Sequence, residues 1–384
     1  MKILVFPSWY PSKENMVSGS FFKEQAELLA QDHDVAVVIV RLVPMKNILS
    51  NGIITVTENT VNNVKTIEYY VPSFGLTRLF HGYEWWAWWT KIALRNYVNR
   101  YGKPDVIHTH SFMWAGYVIA KQRCKYSIPI VYTEHLSKVN DNRLSNFEQE
   151  KLLFTINNSD RVLAVSDKLS LSMKSFGGIN KKIEIVPNMV SNAFHVDRGF
   201  FRNKPFVFCS VSNLVRIKRV DLLILGFYYA FRNKDGIQLL IVGDGPEREK
   251  LQNLIKELRI EKKVKIYGRA TREEVVNIMQ HSDAFIMVSE SETFGLVYVE
   301  AMACGLPTIG TLNGGSNSIL DNYGAYSVPI NNVEKIVESL QYVYNNIENY
   351  NRDRISENIL KQYSGDAVKI RLDEIYESVI RLDS

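Results

Sequence analysis

Short apolar runs alternate with longer amphipathic stretches along the whole chain. In the first half the strand candidates are KILVF (2–6), VAVVIV (35–40), TIEYYV (66–71), DVIHTH (105–110), IPIVYT (128–133), RVLAVS (161–166) and KIEIVP (182–187). In the second half they are FVFCSV (206–211), IQLLIVG (237–243), KVKIYG (263–268), DAFIMVS (283–289) and PTIGT (307–311). Most are unbroken apolar runs, the pattern of strands buried on both faces. Between them Leu251, Leu254, Ile255 and Leu258 recur at helical spacing, as do Val333, Ile336, Val337, Leu340 and Val343.

Strand–helix alternation over this length predicts an α/β chain of parallel sheets with helices on both sides. So many strands overfill one compact sheet, and the order restarts. Periodicity stops in NMVSNAFHVDRGFFRNKP, near 188–205. The pattern therefore predicts two doubly wound domains facing across a cleft, over 1–190 and 191–365. A last helix, about 366–381, follows the completed second domain. It is expected to cross back, so that 366–384 joins the first domain.

A length of 384 residues suits two cores rather than one. With 46% hydrophobic and 23% charged residues, the balance is that of a globular protein in water. The net charge of +5 is too sparse for a dedicated nucleic-acid binder, yet it allows anionic ligands or an anionic membrane surface. Cys124, Cys209 and Cys304 are far apart and form no metal-type pair, as expected of reduced cytoplasmic thiols. MKILVFPSWYP is too short an apolar run for a signal peptide. The longest apolar stretch, LLILGFYYAF, is about half of a membrane span. The expectation is a cytoplasmic protein, soluble or peripheral.

Ligands of open α/β sheets sit beyond the carboxyl ends of strands. IVGDGPERE leaves such an end, with Gly243 and Gly245 allowing a tight turn. It is either an ordinary strand–helix turn or a phosphate site at a helix N-terminus. Arg248 stands where a dinucleotide fingerprint needs glycine, so no nicotinamide site is read. SNLVRIKRVD puts Arg216, Lys218 and Arg219 at a second end, where they form either a solvated cluster or a diphosphate site. SETFGLVYVEAMACGLP follows DAFIMVS. Glu292 falls at the mouth of a helix running from about Phe294 or Gly295 through Ala303, and Glu300 lies about two turns inside it. The two glutamates either compensate the helix dipole and a buried cation, or together face one polar ligand.

These residues carry a resemblance. The E-x7-E pair in SETFGLVYVEAMACGLPTIGT, after IVGDGPE and before NGG (313–315), resembles the retaining glycosyltransferases of family 4, the glycosyltransferases group 1. FPSWYPSKENMVSGSFFKEQAELLA, DVIHTH, YTEH, AVSDKL and IVPN extend the likeness to the first half. The resemblance implies the GT-B fold, two Rossmann-like domains with the donor held by the second and the acceptor mainly by the first. It implies that Glu300 holds the donor ribose and that Glu292 faces the donor sugar. Thr293, Phe294, Gly295 and Leu296 then give backbone contacts to sugar and phosphate. Lys218 matches a diphosphate lysine, Tyr267-Gly268-Arg269 the base site, Gly19 a loop near the diphosphate, and His110 or His108 a histidine at the reacting centre. HTH closes a strand, so the two rings are expected on opposite sides or bracketing its end. Three positions depart from the family pattern: Asn213 for an arginine, Met189 for a glycine, and Ser318 for an acid.

By this resemblance the reaction is sugar transfer from a UDP- or GDP-sugar to an acceptor hydroxyl, with retention, in glycan or polysaccharide synthesis. Lys218, Arg216 and the helix N-terminus would stabilise the leaving diphosphate. No Asp-x-Asp motif stands near the site, so neither metal nor cofactor is expected. Alternatives are a sugar-nucleotide epimerase of the same fold, or a catalytically weak binding subunit, prompted by Asn213 and Ser318. One more segment carries a question, RLFHGYEWWAWWTKIALRNYVNRYGK (78–103). At helical spacing Trp85, Trp88, Trp89, Ile92 and Val98 cannot all share one narrow stripe, and Trp86 lies off it, while Arg78, Lys91, Arg95, Arg100 and Lys103 outweigh Glu84. The segment is either an aromatic-rich core helix or an interfacial helix that brings the enzyme to a lipid-linked sugar acceptor on an anionic membrane.

Overall fold

The computed structural model describes residues 1–12, 18–44, 54–73, 83–199 and 205–383. The chain divides into two compact units, Met1–Val186 with Lys369–Ser384, and Pro187–Val368. Arg78 and part of the 188–205 stretch lie outside the described residues.

The first unit holds an eight-stranded sheet of β1 (Lys2–Pro7), β2 (Asp34–Pro44), β3 (Thr55–Val61), β4 (Val64–Ser73), β5 (Val106–His110), β6 (Ile130–Glu134), β7 (Arg161–Ala164) and β8 (Ile183–Ile185). Its order is β3-β4-β2-β1-β5-β6-β7-β8. All pairs are parallel except β3 with β4. β3 escaped the apolar pattern because TVTENTV is an edge strand with mostly exposed side chains. It turns into β4 through Asn62 and Asn63, both at positive φ, as a two-residue hairpin requires. The central strands are buried throughout, which is why they read as unbroken apolar runs.

The second unit holds six parallel strands, β9 (Phe206–Val211), β10 (Ile237–Val242), β11 (Val264–Gly268), β12 (Ala284–Met287), β13 (Thr308–Thr311) and β14 (Ala325–Val328). Their order is β11-β10-β9-β12-β13-β14. β14, four residues at the sheet edge, is too short to register as a periodic run. Phe208, Ile241 and Ile286 from the sheet pack with Leu223, Phe227, Ile336 and Leu340 from the helices Val220–Phe231 and Val333–Asn345.

The last helix runs from Gly365 to Asp383, and from Lys369 onward it belongs to the first unit. Four contacts hold it there. Tyr376 Oη is 2.7 Å from His108 Nδ1, and Asp373 is 2.9 Å from His33 Nε2. Lys369 Nζ meets Asp32 at 2.6 Å, and Arg161 donates to Ser378 Oγ at 3.2 Å.

The tryptophan helix spans Tyr83–Tyr101. Trp86, off the expected stripe, is nonetheless packed, with its Nε1–H donating to Val40 O at 2.9 Å. Trp85 Nε1–H donates to Pro72 O at 2.8 Å, and Trp89 is buried. Both indole donors thus cap carbonyls of β2 and β4, which is how a polar aromatic becomes core. Trp88 alone of the four is 49% exposed, stacked on Trp85 with ring centroids 5.3 Å apart.

Candidate functional site

In the second sheet the strand order reverses between β9 and β12, so the loops leaving their carboxyl ends emerge side by side. The backbone N–H of Glu290 donates to Ile217 O at 2.8 Å and ties the two loops together. Lys218 Nζ then lies 2.5 Å from Glu292 Oε1. Arg219 sits beside this pair, 2.7 Å from Glu290 and 3.2 Å from Asp221, and also donates to Asn331. The Glu290 carboxyl is held below its ordinary value, first by Arg219, with Asn331 and Arg216 contributing. Arg216 and Asn213 are exposed at the same loop. Lys218 and Glu292, drawn from two separate motifs, are one ion pair in the structure.

Three glycines let these loops meet backbone to backbone. A Cβ on Gly243, at φ +143°, would stand 1.8 Å from Ser212 O, and one on Gly245 2.4 Å from Leu214 O. A Cβ on Gly315, the last residue of NGG, would stand 1.8 Å from Glu292 O. Gly243 therefore shapes the site by close packing of the β9 and β10 loops, beyond the tight turn that its sequence context suggested.

Gly295, at φ +91°, is the N-cap of the helix Leu296–Ala303. Thr293 is half-buried ahead of it, and Leu296 opens the helix. The Phe294 side chain is buried against Tyr363, so only its backbone remains for a ligand. Glu300 is 4% exposed. Burial raises its carboxyl pKa, and Arg272 opposes that rise. Arg272 Nη1 is 2.5 Å from Glu300 Oε1, and its guanidinium lies over the Phe194 ring at 4.6 Å. The buried ion pair left open for Glu300 is present. Its cation had no signal in the sequence, because Arg272 is simply the residue after the helix cap Thr271. Tyr267 is exposed and donates to Glu274 at 2.9 Å, and Arg269 is exposed beside it.

Gly19 and His110 lie in the first unit, at the corresponding reversal between β1 and β5. Gly19, at φ +74°, starts the helix Ser20–Leu29 against Trp9, whose carbonyl O and ring would stand 3.0 Å from an added Cβ. His108 and His110 do not take opposite sides. Side chains alternate along a strand, so positions two apart share a face, and the rings lie 4.2 Å apart. His108 is satisfied by Tyr376 and by Thr133 Oγ1 at 2.8 Å. Burial lowers its pKa to about 3. His110, 1% exposed, instead meets His135 Nε2 through Nδ1 at 3.1 Å. Its pKa is also driven down, by burial first and then by the neighbouring histidines.

His135 follows the fully buried Glu134, which had no assigned role in the sequence. Glu134 accepts the backbone N–H groups of His135 at 2.7 Å, Leu136 at 2.8 Å and Phe112 at 3.2 Å, together with the Tyr132 hydroxyl. It fixes the loops after β5 and β6 to each other. Among the described residues no group of three or more His, Cys, Asp or Glu side chains is placed to hold a metal ion. No helix there is long and apolar enough to cross a membrane.

Two Rossmann-like parallel-sheet units, each with its polar loops at a strand-order reversal, define the GT-B glycosyltransferase fold. The Anabaena protein HepE, solved in complex with UDP and glucose, superposes with a TM-score of 0.73 at 17% identity, covering 98% of this chain and 100% of that one. The model of glycosyltransferase family 4 matches residues 21–194, and the model of glycosyl transferases group 1 matches 193–362. The chain belongs to this family and is a glycosyltransferase. It is 28% identical over 296 residues to N-acetyl-alpha-D-glucosaminyl L-malate synthase of Bacillus anthracis, 73% of this chain and 76% of that protein. It is 27% identical over 291 residues to the phosphatidylinositol N-acetylglucosaminyltransferase GPI3 subunit of Saccharomyces cerevisiae, 72% of this chain and 63% of that subunit.

Proposed function

We propose that the enzyme transfers a sugar from a nucleoside diphosphate sugar to an acceptor hydroxyl with retention of anomeric configuration. The observation that carries this reading is the Lys218–Glu292 pair at the β9/β12 reversal, with Glu300 inside the helix that follows Glu292. Lys218, with Arg216 near it, meets the diphosphate, Glu292 the sugar and Glu300 the ribose. Gly243 lets backbone approach the phosphates, Thr293 to Leu296 contribute N–H groups, and Tyr267 and Arg269 flank the base. The bond from the anomeric carbon to the phosphate oxygen breaks as the acceptor oxygen bonds to that carbon on the same face. The acceptor proton leaves on the departing diphosphate. Lys218 is the cation that balances the charge growing there, so the reaction proceeds without a metal.

UDP is the first nucleotide to test, because HepE was solved with UDP. Two relatives are named for N-acetylglucosaminyl transfer, which makes that sugar the first donor to try. The GPI3 name also specifies phosphatidylinositol, which supports a lipid-linked acceptor and peripheral contact with an anionic membrane. The deciding experiment is thermal denaturation with UDP, GDP and ADP and their sugar conjugates, followed by transfer assays with the stabilising donor in the presence of a chelator. Stabilisation by one diphosphate and turnover with chelator present are expected. No stabilisation by any of them would remove the donor site. Turnover of the donor to an epimer with no acceptor would redirect the reading to an epimerase.

A further inference from the structure

We propose that His135 is a positioning residue that donates its Nε2–H to His110 Nδ1 and thereby fixes His110 as a neutral ring carrying its single proton on Nε2. The two nitrogens are 3.1 Å apart, and one of them must hold the proton between them. The other nitrogen of His135 decides which. His135 Nδ1 is buried and has no hydrogen-bond partner among the described residues. If His110 were the donor, a neutral His135 would carry its proton on Nδ1, leaving a buried N–H without an acceptor. An orphaned buried donor is the rarer and costlier defect, whereas a bare lone pair against aromatic rings is tolerated. His135 therefore keeps its proton on Nε2 and gives it to His110.

The surroundings hold this arrangement. The Glu134 carboxylate pins the His135 backbone N–H at 2.7 Å. Phe22 packs against both rings, with centroids 4.4 Å from His110 and 4.8 Å from His135, and Phe21 is 5.3 Å from His135. Both nitrogens of His108 are taken by Tyr376 and Thr133, so its stacked ring offers His110 no competing partner. Burial lowers the pKa of His135 to about 3 and that of His110 well below the usual value, so neither ring is a cation at neutral pH. His110 consequently has no free lone pair. It can donate a hydrogen bond to a sugar or phosphate oxygen, and it cannot take the acceptor proton.

The functional half of this inference rests on the reading of His110 as the histidine at the reacting centre; the tautomer does not. Long-range 15N–1H correlation spectra of the full chain labelled with 15N-histidine read the tautomer directly, with His110 assigned from its missing signal in His110→Gln. The expected spectrum shows Nε2 protonated and Nδ1 bare, unchanged from about pH 8 to about pH 6. His135→Phe should give mixed tautomers of His110 and lower kcat roughly ten-fold or more, with little change in KM for the donor. His135→Gln, whose amide can still donate, should restore both, and melting curves of the two variants control for folding. A proton on His110 Nδ1, or no tautomer change in His135→Phe, overturns the proposal. Wild-type kcat in His135→Phe overturns the positioning role. Wild-type turnover of His110→Ala instead removes His110 from the site and leaves the tautomer result standing.

Discussion

Arg272 Nη1 lies 2.5 Å from Glu300 Oε1 while the guanidinium covers the ring of Phe194 at 4.6 Å. The carboxylate is buried and the cation is 36% exposed. Burial raises the Glu300 pKa, and Arg272 is what opposes the rise. A carboxyl whose folded pKa is raised costs nothing below its ordinary pKa and destabilises progressively as pH rises through the folded value. Arg272→Met should therefore lose little stability near pH 4 and about 1–3 kcal/mol at neutral pH, less than for a fully buried pair because Arg272 reaches solvent. Thermal melts of both proteins across pH check this. A loss independent of pH would mean that packing on Phe194, and not charge, is what Arg272 supplies.

Glu300→Gln keeps the shape and removes the charge. If Glu300 holds the donor ribose, nucleotide affinity should fall by about 1–3 kcal/mol, the scale of a hydrogen-bonding group left unpaired. Titration calorimetry with UDP reads it. Unchanged affinity in a folded variant would assign Glu300 to the Arg272 ion pair alone.

Lys218 and Glu292 should separate by ligand. Lys218→Met should weaken UDP by about 1.5–3 kcal/mol, the worth of a hydrogen bond to a charged group, and weaken UMP less. If Glu292 faces the sugar, Glu292→Ala should cut transfer far more than it weakens free UDP. Equal losses for UDP and UMP would move Lys218 off the diphosphate, and equal losses of transfer and UDP binding would place Glu292 on the nucleotide.

The sheets were legible because their strands are buried on both faces and so read as apolar runs. β3 was missed because its side chains face solvent at the edge. E-x7-E marked the helix Leu296–Ala303 and the loop before it, as the spacing of two carboxylates survives in one dimension. Their ion pairs did not show. Arg272 reaches Glu300 from a helix 28 positions back in the chain, and Lys218 reaches Glu292 across 74 positions. Gly315 was visible within NGG, but not its reason, which is the Glu292 carbonyl lying where a Cβ would be. The histidine pair depended on a fold contact between β5 and the end of β6, although both members stood in quoted motifs.

That reason makes Gly315→Ala a test of the loop packing. The added methyl would sit 1.8 Å from Glu292 O, so one backbone must move. The expected cost is about 1–3 kcal/mol of stability, accompanied by weaker donor binding. Gly236→Ala is the control, at φ +76° with nothing within 4 Å, and should cost about 1 kcal/mol of backbone strain while sparing donor binding. Matching losses of donor binding in the two variants would show that the Gly315 contact does not shape the site.

Membrane contact, if it occurs through the tryptophan helix, must use the residues that helix exposes. Trp85 and Trp86 are spent on the carbonyls of Pro72 and Val40, so replacing them damages the core instead of testing a surface. Trp88, Lys91 and Arg95 are exposed at i, i+3 and i+7, which places an indole and two cations along one helical stripe. An indole settles at headgroup level, and each cation near an anionic surface adds about 1 kcal/mol. Flotation should show binding to vesicles containing phosphatidylserine or phosphatidylglycerol, little binding to neutral ones, and a decline with salt. Lys91→Ala with Arg95→Ala should cut partitioning roughly thirty-fold, the equivalent of about 2 kcal/mol. Trp88→Ala should weaken binding at a modest cost in melting temperature, because half of that ring lies in solvent and the other half is stacked on Trp85. Equal recovery with neutral and anionic vesicles, or full binding when Trp88, Lys91 and Arg95 are all replaced by alanine, would leave this stripe an ordinary solvated helix face and the acceptor reached by another surface.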